Sequence, residues 1–193
     1  MRTLLALPLL ALTACSGGEL VGVHIQLKKD GSGLVTTRAL AEPPAPAAAE
    51  ARSQAVTWTS RASLLCSQGT FTAIGDLSLG NGGIRFTADL GDARPSLRVR
   101  LQRGANAEWI GTLVPGEKAR RDMAKVYDPT ARTTEIGDTI RIEVALPGEV
   151  FASGVRPTGG GVEAAHEGKR AYLLIPVRTA LEAGAEFEWS INW

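Results

Sequence analysis

Val21, Val23, Ile25 and Leu27 alternate with Gly22, His24, Gln26 and Lys28, the two-residue period of a strand that buries one face. Asp30-Gly31 then marks a tight turn, and Val35 with the threonines up to Ala39 suits a return strand, so residues 20–39 predict a β-hairpin. Glu42-Pro43-Pro44-Ala45-Pro46 follows; proline has no amide proton to give a ladder, and 42–46 is expected as a loop. Beyond it Ala48, Ala51, Ala55, Trp58, Ala62 and Leu65 recur at spacings of three and four, which places them on one face of a helix over 47–65. Val56-Thr57-Trp58-Thr59 is β-branched and aromatic, and a short strand after a shorter helix is the alternative.

Strand patterns return at 69–74, at 83–90 with Ile84, Phe86 and Ala88 on one side, and at 96–103 with Leu97, Val99 and Leu101. Asn81-Gly82-Gly83 supplies the turn between the first two, and 107–114 is a further strand candidate carrying Trp109. Pro115-Gly116 breaks that run. Ala119, Met123 and Val126 then form the stripe of a short amphipathic helix over 117–127, which Asp128-Pro129 ends. The last third alternates again through Ile140, Ile142, Val144 and Leu146, through Ala171, Leu173 and Ile175, and through Phe187, Trp189, Ile191 and Trp193. Runs of strands with helices between the runs predict an α+β fold: a mainly antiparallel β-sheet with one longer and one short helix packed against it.

The amino terminus carries a different signal. Met1-Arg2 is a short cationic start, residues 4–12 are an apolar run, and Leu12-Thr13-Ala14-Cys15 closes it, the architecture of a cleaved export signal. The run is shorter than the ~20 apolar residues that a membrane-spanning helix needs. Leu12-Thr13-Ala14-Cys15 resembles the bacterial lipobox, which implies that Cys15 receives a diacylglyceryl group before cleavage. The expected organisation is a signal peptide at 1–14, a lipidated Cys15 with a short tether through 19, and an envelope domain over 20–193. Ser16-Gly17-Gly18 lacks the acidic residue that marks retention at an inner membrane. If the host has two membranes, the expected location is the outer one, facing the periplasm.

The order of elements resembles that of the LppM-like bacterial lipoproteins. The residues that carry the likeness are Leu146-Pro147-Gly148-Glu149-Val150, the small-residue step Ala152-Ser153-Gly154, the turn Gly159-Gly160-Gly161 and the strand through Ile175-Pro176. Members often have a tryptophan soon after that turn, whereas Val162-Glu163-Ala164-Ala165-His166 has none. The resemblance implies a non-enzymatic α+β domain of the cell envelope, in a family associated with lipids, and brings no catalytic residue with it.

Composition and charge narrow the field. The 193 residues are 44% hydrophobic and 21% charged, as in an ordinary globular protein. Loss of residues 1–14 takes Arg2 with it and leaves 20 Lys and Arg against 20 Asp and Glu, so no nucleic-acid partner is expected. With Cys15 claimed by the lipid, Cys66 stands alone, which argues against an internal disulfide and for a small buried apolar group. His24 and His166 lack the spacing of a zinc site, so neither a metal nor a cofactor is expected. No Gly-x-Ser-x-Gly elbow is present, and Gly159-Gly160-Gly161 and Gly168-Lys169-Arg170 both fall short of a phosphate-binding loop. Glu186 and Glu188 alternate with Phe187 and Trp189, as a solvated strand face would.

One chemical pattern stands out. Arg98 and Arg100 share one face of a strand whose other face is Leu97, Val99 and Leu101, with Arg94 and Arg103 nearby. A row of Arg98, Arg100 and Arg103, extended by Lys118 and Arg121 of the short helix, would suit anionic lipid phosphates. Asp89, Asp92 and Asp122 would balance it on a merely solvated face. The leading functional expectation is a membrane-anchored, non-catalytic lipoprotein that binds lipid or glycolipid. The alternatives are a protein-interaction or assembly module presenting a sheet edge or segment 42–66, and a hydrolase with no motif behind it.

Overall fold

The computed structural model describes residues 19–39, 56–61, 66–91, 94–104, 107, 109 and 139–193. Among the described residues twelve strands run in chain order: β1 (Glu19–Leu27), β2 (Gly33–Ala39), β3 (Val56–Arg61), β4 (Cys66–Phe71), β5 (Ser78–Leu79), β6 (Ile84–Asp89), β7 (Ser96–Leu101), β8 (Thr139–Ala145), β9 (Ala152–Arg156), β10 (Glu163–Glu167), β11 (Arg170–Pro176) and β12 (Phe187–Asn192). A 3-10 turn occupies Ile74–Asp76, and a five-residue helix, α1 (Val177–Leu181), joins β11 to β12.

The strands form two sheets, a seven-stranded one in the order β10-β11-β8-β1-β2-β4-β3 and a five-stranded one in the order β5-β6-β7-β12-β9. Neighbours are antiparallel except β1 and β8, which run parallel because the chain leaves the larger sheet after β4, builds β5, β6 and β7, and then returns. Alternation decides which side of each strand is buried. Ile25, Val35, Ile142 and Leu173 from the larger sheet and Phe86, Val99, Trp189 and Ile191 from the smaller belong to one hydrophobic core. The two layers therefore make a sandwich. The buried indoles are satisfied: Trp189 Nε1 donates to Ser153 Oγ at 2.9 Å, and Trp109 Nε1 donates to the Gln102 carbonyl at 2.7 Å.

The turns have local causes. Between β1 and β2, Asp30 accepts from the amide and hydroxyl of Ser32 at 3.0 and 2.7 Å, and Gly31 takes the left-handed conformation at φ 82°. These hydrogen bonds hold the Asp30 carboxyl below the usual carboxylate range. Their support of the turn is present at neutral pH and lost as pH falls through that lowered pKa. Near β6, Gly83 lies so close to Trp109 that a Cβ would come within 2.3 Å of the indole.

One end of the sandwich can be traced through its contacts. Glu19 starts β1 beside Thr139, which starts β8, and Thr139 pairs with Pro176 at the end of β11. Helix α1 begins at the next residue, and the amide of Gly104, just past β7, donates to the Ala180 carbonyl. The start of β1 and the end of β7 thus share one end. The β1–β2 turn, the Leu146–Phe151 connection and the β10–β11 turn share the other, where Leu146 and Val150 donate to the carbonyls of Lys169 and Gly168.

The α+β expectation is overturned: the fold is a two-sheet β-sandwich. The expected helix over 47–65 is strand over Val56–Arg61, where a β-branched and aromatic run pairs with β4; 47–55 lie outside the described residues. Alanines at helical spacing have little surface to bury, and strand pairing prevails. The expected helix over 117–127 and the loop 42–46 also lie outside the described residues. Trp109, expected on a strand, has helical backbone. The 69–74 pattern is realised earlier, as Cys66–Phe71, and ends in the 3-10 turn.

Ile142 is fully buried at the centre of β8. Ile142→Ala is expected to lower the unfolding free energy by about 2–5 kcal/mol, read as a lower urea midpoint at unchanged slope.

Candidate anion-binding face

The outer face of the smaller sheet follows from strand parity. With Leu97, Val99 and Leu101 turned to the core, Arg98 and Arg100 turn outward and are about half exposed. Register aligns Arg85 of β6, Arg100 of β7, Glu188 of β12 and Arg156 of β9 in one row across the sheet. The next row holds Thr87, Arg98, Ser190 and Gly154. Glu188 is 3.4 Å from Arg98 and 3.2 Å from Arg100, and Arg85 pairs with Glu186 at 2.7 Å.

The carboxylates that balance this face are therefore Glu186 and Glu188, reached across the sheet. Asp89 stands at the opposite end of β6 beside Ser96, and Asp92 and Asp122 lie outside the described residues. Two arginines share the single charge of Glu188, which leaves one positive charge over in that trio. Exposed ion pairs of this kind contribute about 0–1 kcal/mol. They hold the guanidinium groups only loosely, so an oxyanion can compete for their donors.

Arg103 does not join the row. The ladder ends at Leu101 and the chain turns at Gly104, with φ 103°. The Arg103 side chain, 11% exposed, lies over the Phe187 ring at 4.4 Å, and its Nη2 donates to the Thr179 carbonyl at 3.2 Å. Lys118, Arg121 and Cys15 lie outside the described residues.

A second ionic cluster, not anticipated from sequence, occupies the outer face of the larger sheet. Glu143, with a side chain only 16% exposed, faces Arg141 at 3.0 Å, His24 at 3.6 Å and Arg170 at 3.7 Å. The Arg141 guanidinium lies over the Tyr172 ring at 5.4 Å. The signal was the alternation of Arg141 and Glu143 with Ile140, Ile142 and Val144, but pairing to β1 and β11 was needed to bring the partners together. His166 is exposed in β10, and among the described residues no three His, Cys, Asp or Glu side chains gather as metal ligands. The glycine-rich turn closes through a Val162 amide to Gly159 carbonyl bond of 3.1 Å, and the Thr179 hydroxyl donates to the Gly160 carbonyl at 2.6 Å.

Fold and site together define a two-layer β-sandwich with an arginine-bearing outer face. No family model matches the chain, and no curated protein matches it. Among solved structures, it is similar to the folded domain of the Mycobacterium tuberculosis LppM protein, determined by NMR, with a TM-score of 0.45 and 14% identity over 93% of this chain and 92% of that one.

The two clusters differ in burial and should differ in energy. Glu143→Ala, which leaves Arg141, Arg170 and His24 facing one another, is expected to destabilise by about 1–3 kcal/mol. Arg85→Ala, at an exposed pair, is expected to cost less than about 1 kcal/mol. Parallel urea titrations of the two variants measure the difference.

Proposed function

We propose that the protein is a membrane-anchored, non-catalytic envelope lipoprotein that rests its arginine-bearing sheet against anionic lipid or glycolipid headgroups. The observation that carries this reading is the start of β1 at Glu19, four residues after Cys15. Four residues span at most about 14 Å, so an acyl chain on Cys15 would hold the β1-start end of the sandwich against the bilayer. Arg100 and Arg85 lie next to Leu101 and Ile84, on the strand ends nearest that same end. Two or more acyl chains give stable anchoring where one gives only marginal binding, so the arginines would orient a body that the lipid retains. No cofactor, metal or nucleic acid enters this reading. With Ser16 after the anchor, the location would be the outer membrane facing the periplasm in a host with two membranes.

A second reading, a protein-interaction or assembly module, is favoured by one feature. Segment 42–66 supplies β3, which forms an edge of the larger sheet. Its outward backbone groups are free among the described strands to pair with a partner's strand. A stoichiometric protein crosslinked in cells through a photoreactive residue in β3 would favour this reading over the first.

Mass spectrometry of the protein purified from membranes is expected to find a diacylglyceryl-modified Cys15 at the new amino terminus; an unmodified end would overturn the anchored reading. To separate headgroup contact from acyl insertion, the mature chain carrying Cys15→Ser is sedimented with phosphatidylglycerol or phosphatidylcholine vesicles. Each basic residue near an anionic surface contributes about 1 kcal/mol. Binding to the anionic vesicles is expected to fall at least about fivefold in the Arg98→Ala/Arg100→Ala variant and to weaken with salt. Equal binding by parent and variant would count against this face.

A further inference from the structure

Phe151 is the most exposed large apolar side chain among the described residues, at 61%. Strand parity alone would not put it there. Along β9, Ser153 Oγ meets the buried Trp189 indole and Val155 lies in the core, and strict alternation would turn Phe151 inward with them. The ladder to β12 shows why it turns out. Ala152 stands opposite Asn192, and the Phe151 amide also donates to the Asn192 carbonyl, at 3.0 Å. Two residues of one strand thus oppose one of its neighbour, the arrangement of a β-bulge, which breaks the alternation and re-aims a side chain. Phe151 therefore falls on the side of Ala152, Gly154 and Arg156, the outer face that carries the arginines. The residue before it is pinned, since Val150 is buried and its amide donates to the Gly168 carbonyl at 2.9 Å. The ring is held out at a fixed place. Around it the face is uncharged: Ala152, Asn192 and Ser96 form the end row, with Gly154 and Ser190 in the next. Asp89, the acid of that end row, stands three strands away, about 14 Å, and the Glu149 carboxylate lies beside Gly168 of the β10–β11 turn.

We infer that Phe151 inserts into the bilayer interface and so holds the smaller sheet flat on the membrane. This rests on the lipid reading above and deepens it, since that reading supplies the surface and Phe151 fixes the pose. Arginines that meet headgroup phosphates beside an apolar ring that enters the acyl boundary make the composition of an interfacial surface. The ring and the arginines stand apart along the sheet. From Arg156, in the row nearest the start of β1, to Phe151 at the other end, β9 covers about 16 Å. A body standing on its β1-start end would hold the ring clear of the lipid; a body lying on its smaller sheet brings arginines and ring down together. The tether permits the flat pose, because the two layers lie about 10 Å apart and four residues reach about 14 Å. Acyl chain, arginines and Phe151 then form three separated contacts, which fix an orientation that one lipid anchor leaves open.

The test has two arms. In the first, the acylated protein carrying Phe151→Trp is reconstituted in phosphatidylglycerol vesicles whose acyl chains bear bromine. Its fluorescence should be quenched beyond that of the parent, in which Trp109 and Trp189 are fully buried; equal quenching of the two would overturn the insertion. In the second, the mature chain with Cys15→Ser is sedimented with phosphatidylglycerol vesicles. Phe151→Ala should weaken binding about fivefold or more, and Phe151→Leu should restore most of it. The loss should persist at high salt, where the contribution of the arginines is screened. An unchanged urea midpoint in Phe151→Ala, expected for so exposed a side chain, separates this effect from a loss of folding. Parent-like binding by Phe151→Ala, with Arg98→Ala/Arg100→Ala still weakened, would sink the insertion and leave the arginine face standing. No binding by the parent would sink both. A dimer in solution that Phe151→Ala abolishes, without any change in vesicle binding, would give the ring to a second copy of the chain and overturn the membrane assignment.

Discussion

Each sheet of this protein has one apolar face, and neither can remain in water. Ile25, Ile142 and Leu173 on one layer and Val99, Trp189 and Ile191 on the other are shielded only because the layers face each other. Burial of this kind contributes roughly 25 cal/mol per Å2 of apolar surface. It also decides the direction of every other side chain on those strands. A one-residue slip of β7 would turn Arg98 and Arg100 into the core and Leu97 and Val99 to solvent. The arginine face is therefore a consequence of the packing of its opposite side.

Burial then sorts the charges into different physical regimes. Glu188 and its two arginines sit on an open sheet surface, where water screens the pair and competes for the donors. Glu143, shielded by the neighbouring strands, gathers Arg141, Arg170 and His24 where water competes less. Arg103 goes furthest, held between Phe187 and the carbonyl of Thr179 with part of its donor set unused. Arginine thus serves three ends: a solvated face, a cluster that ties three strands, and a buried cation packed on an aromatic ring.

How much of this was legible in the sequence depended on how cleanly each strand separates its faces. The β1–β2 hairpin and strands β6, β7, β8, β11 and β12 could be read because each has a water-facing side and a buried side. Strand β9, Ala-Ser-Gly-Val-Arg, and strand β10, Glu-Ala-Ala-His-Glu, carry small or polar residues with little to bury. Their pairing with β12 and β11 is what makes them strands. At Val56–Arg61 the helical spacing of the alanines misleads and the strand alternative for Val56-Thr57-Trp58-Thr59 holds, because pairing with the neighbouring strand β4 decides the conformation there.

Parity along β7 by itself separated Arg98 and Arg100 from the core, since alternation is a property of a single extended chain. The resemblance of Leu12-Thr13-Ala14-Cys15 to a lipobox and the spacing of His24 and His166 are likewise patterns of local order, to which the sequence alone speaks. The balance of the arginine face by Glu188, the gathering around Glu143 and the setting of Arg103 against α1 were decided only by the tertiary structure. Those contacts join residues 88, 119 and 76 positions apart, and nothing local to either partner specifies the register or the layer that brings it to the other.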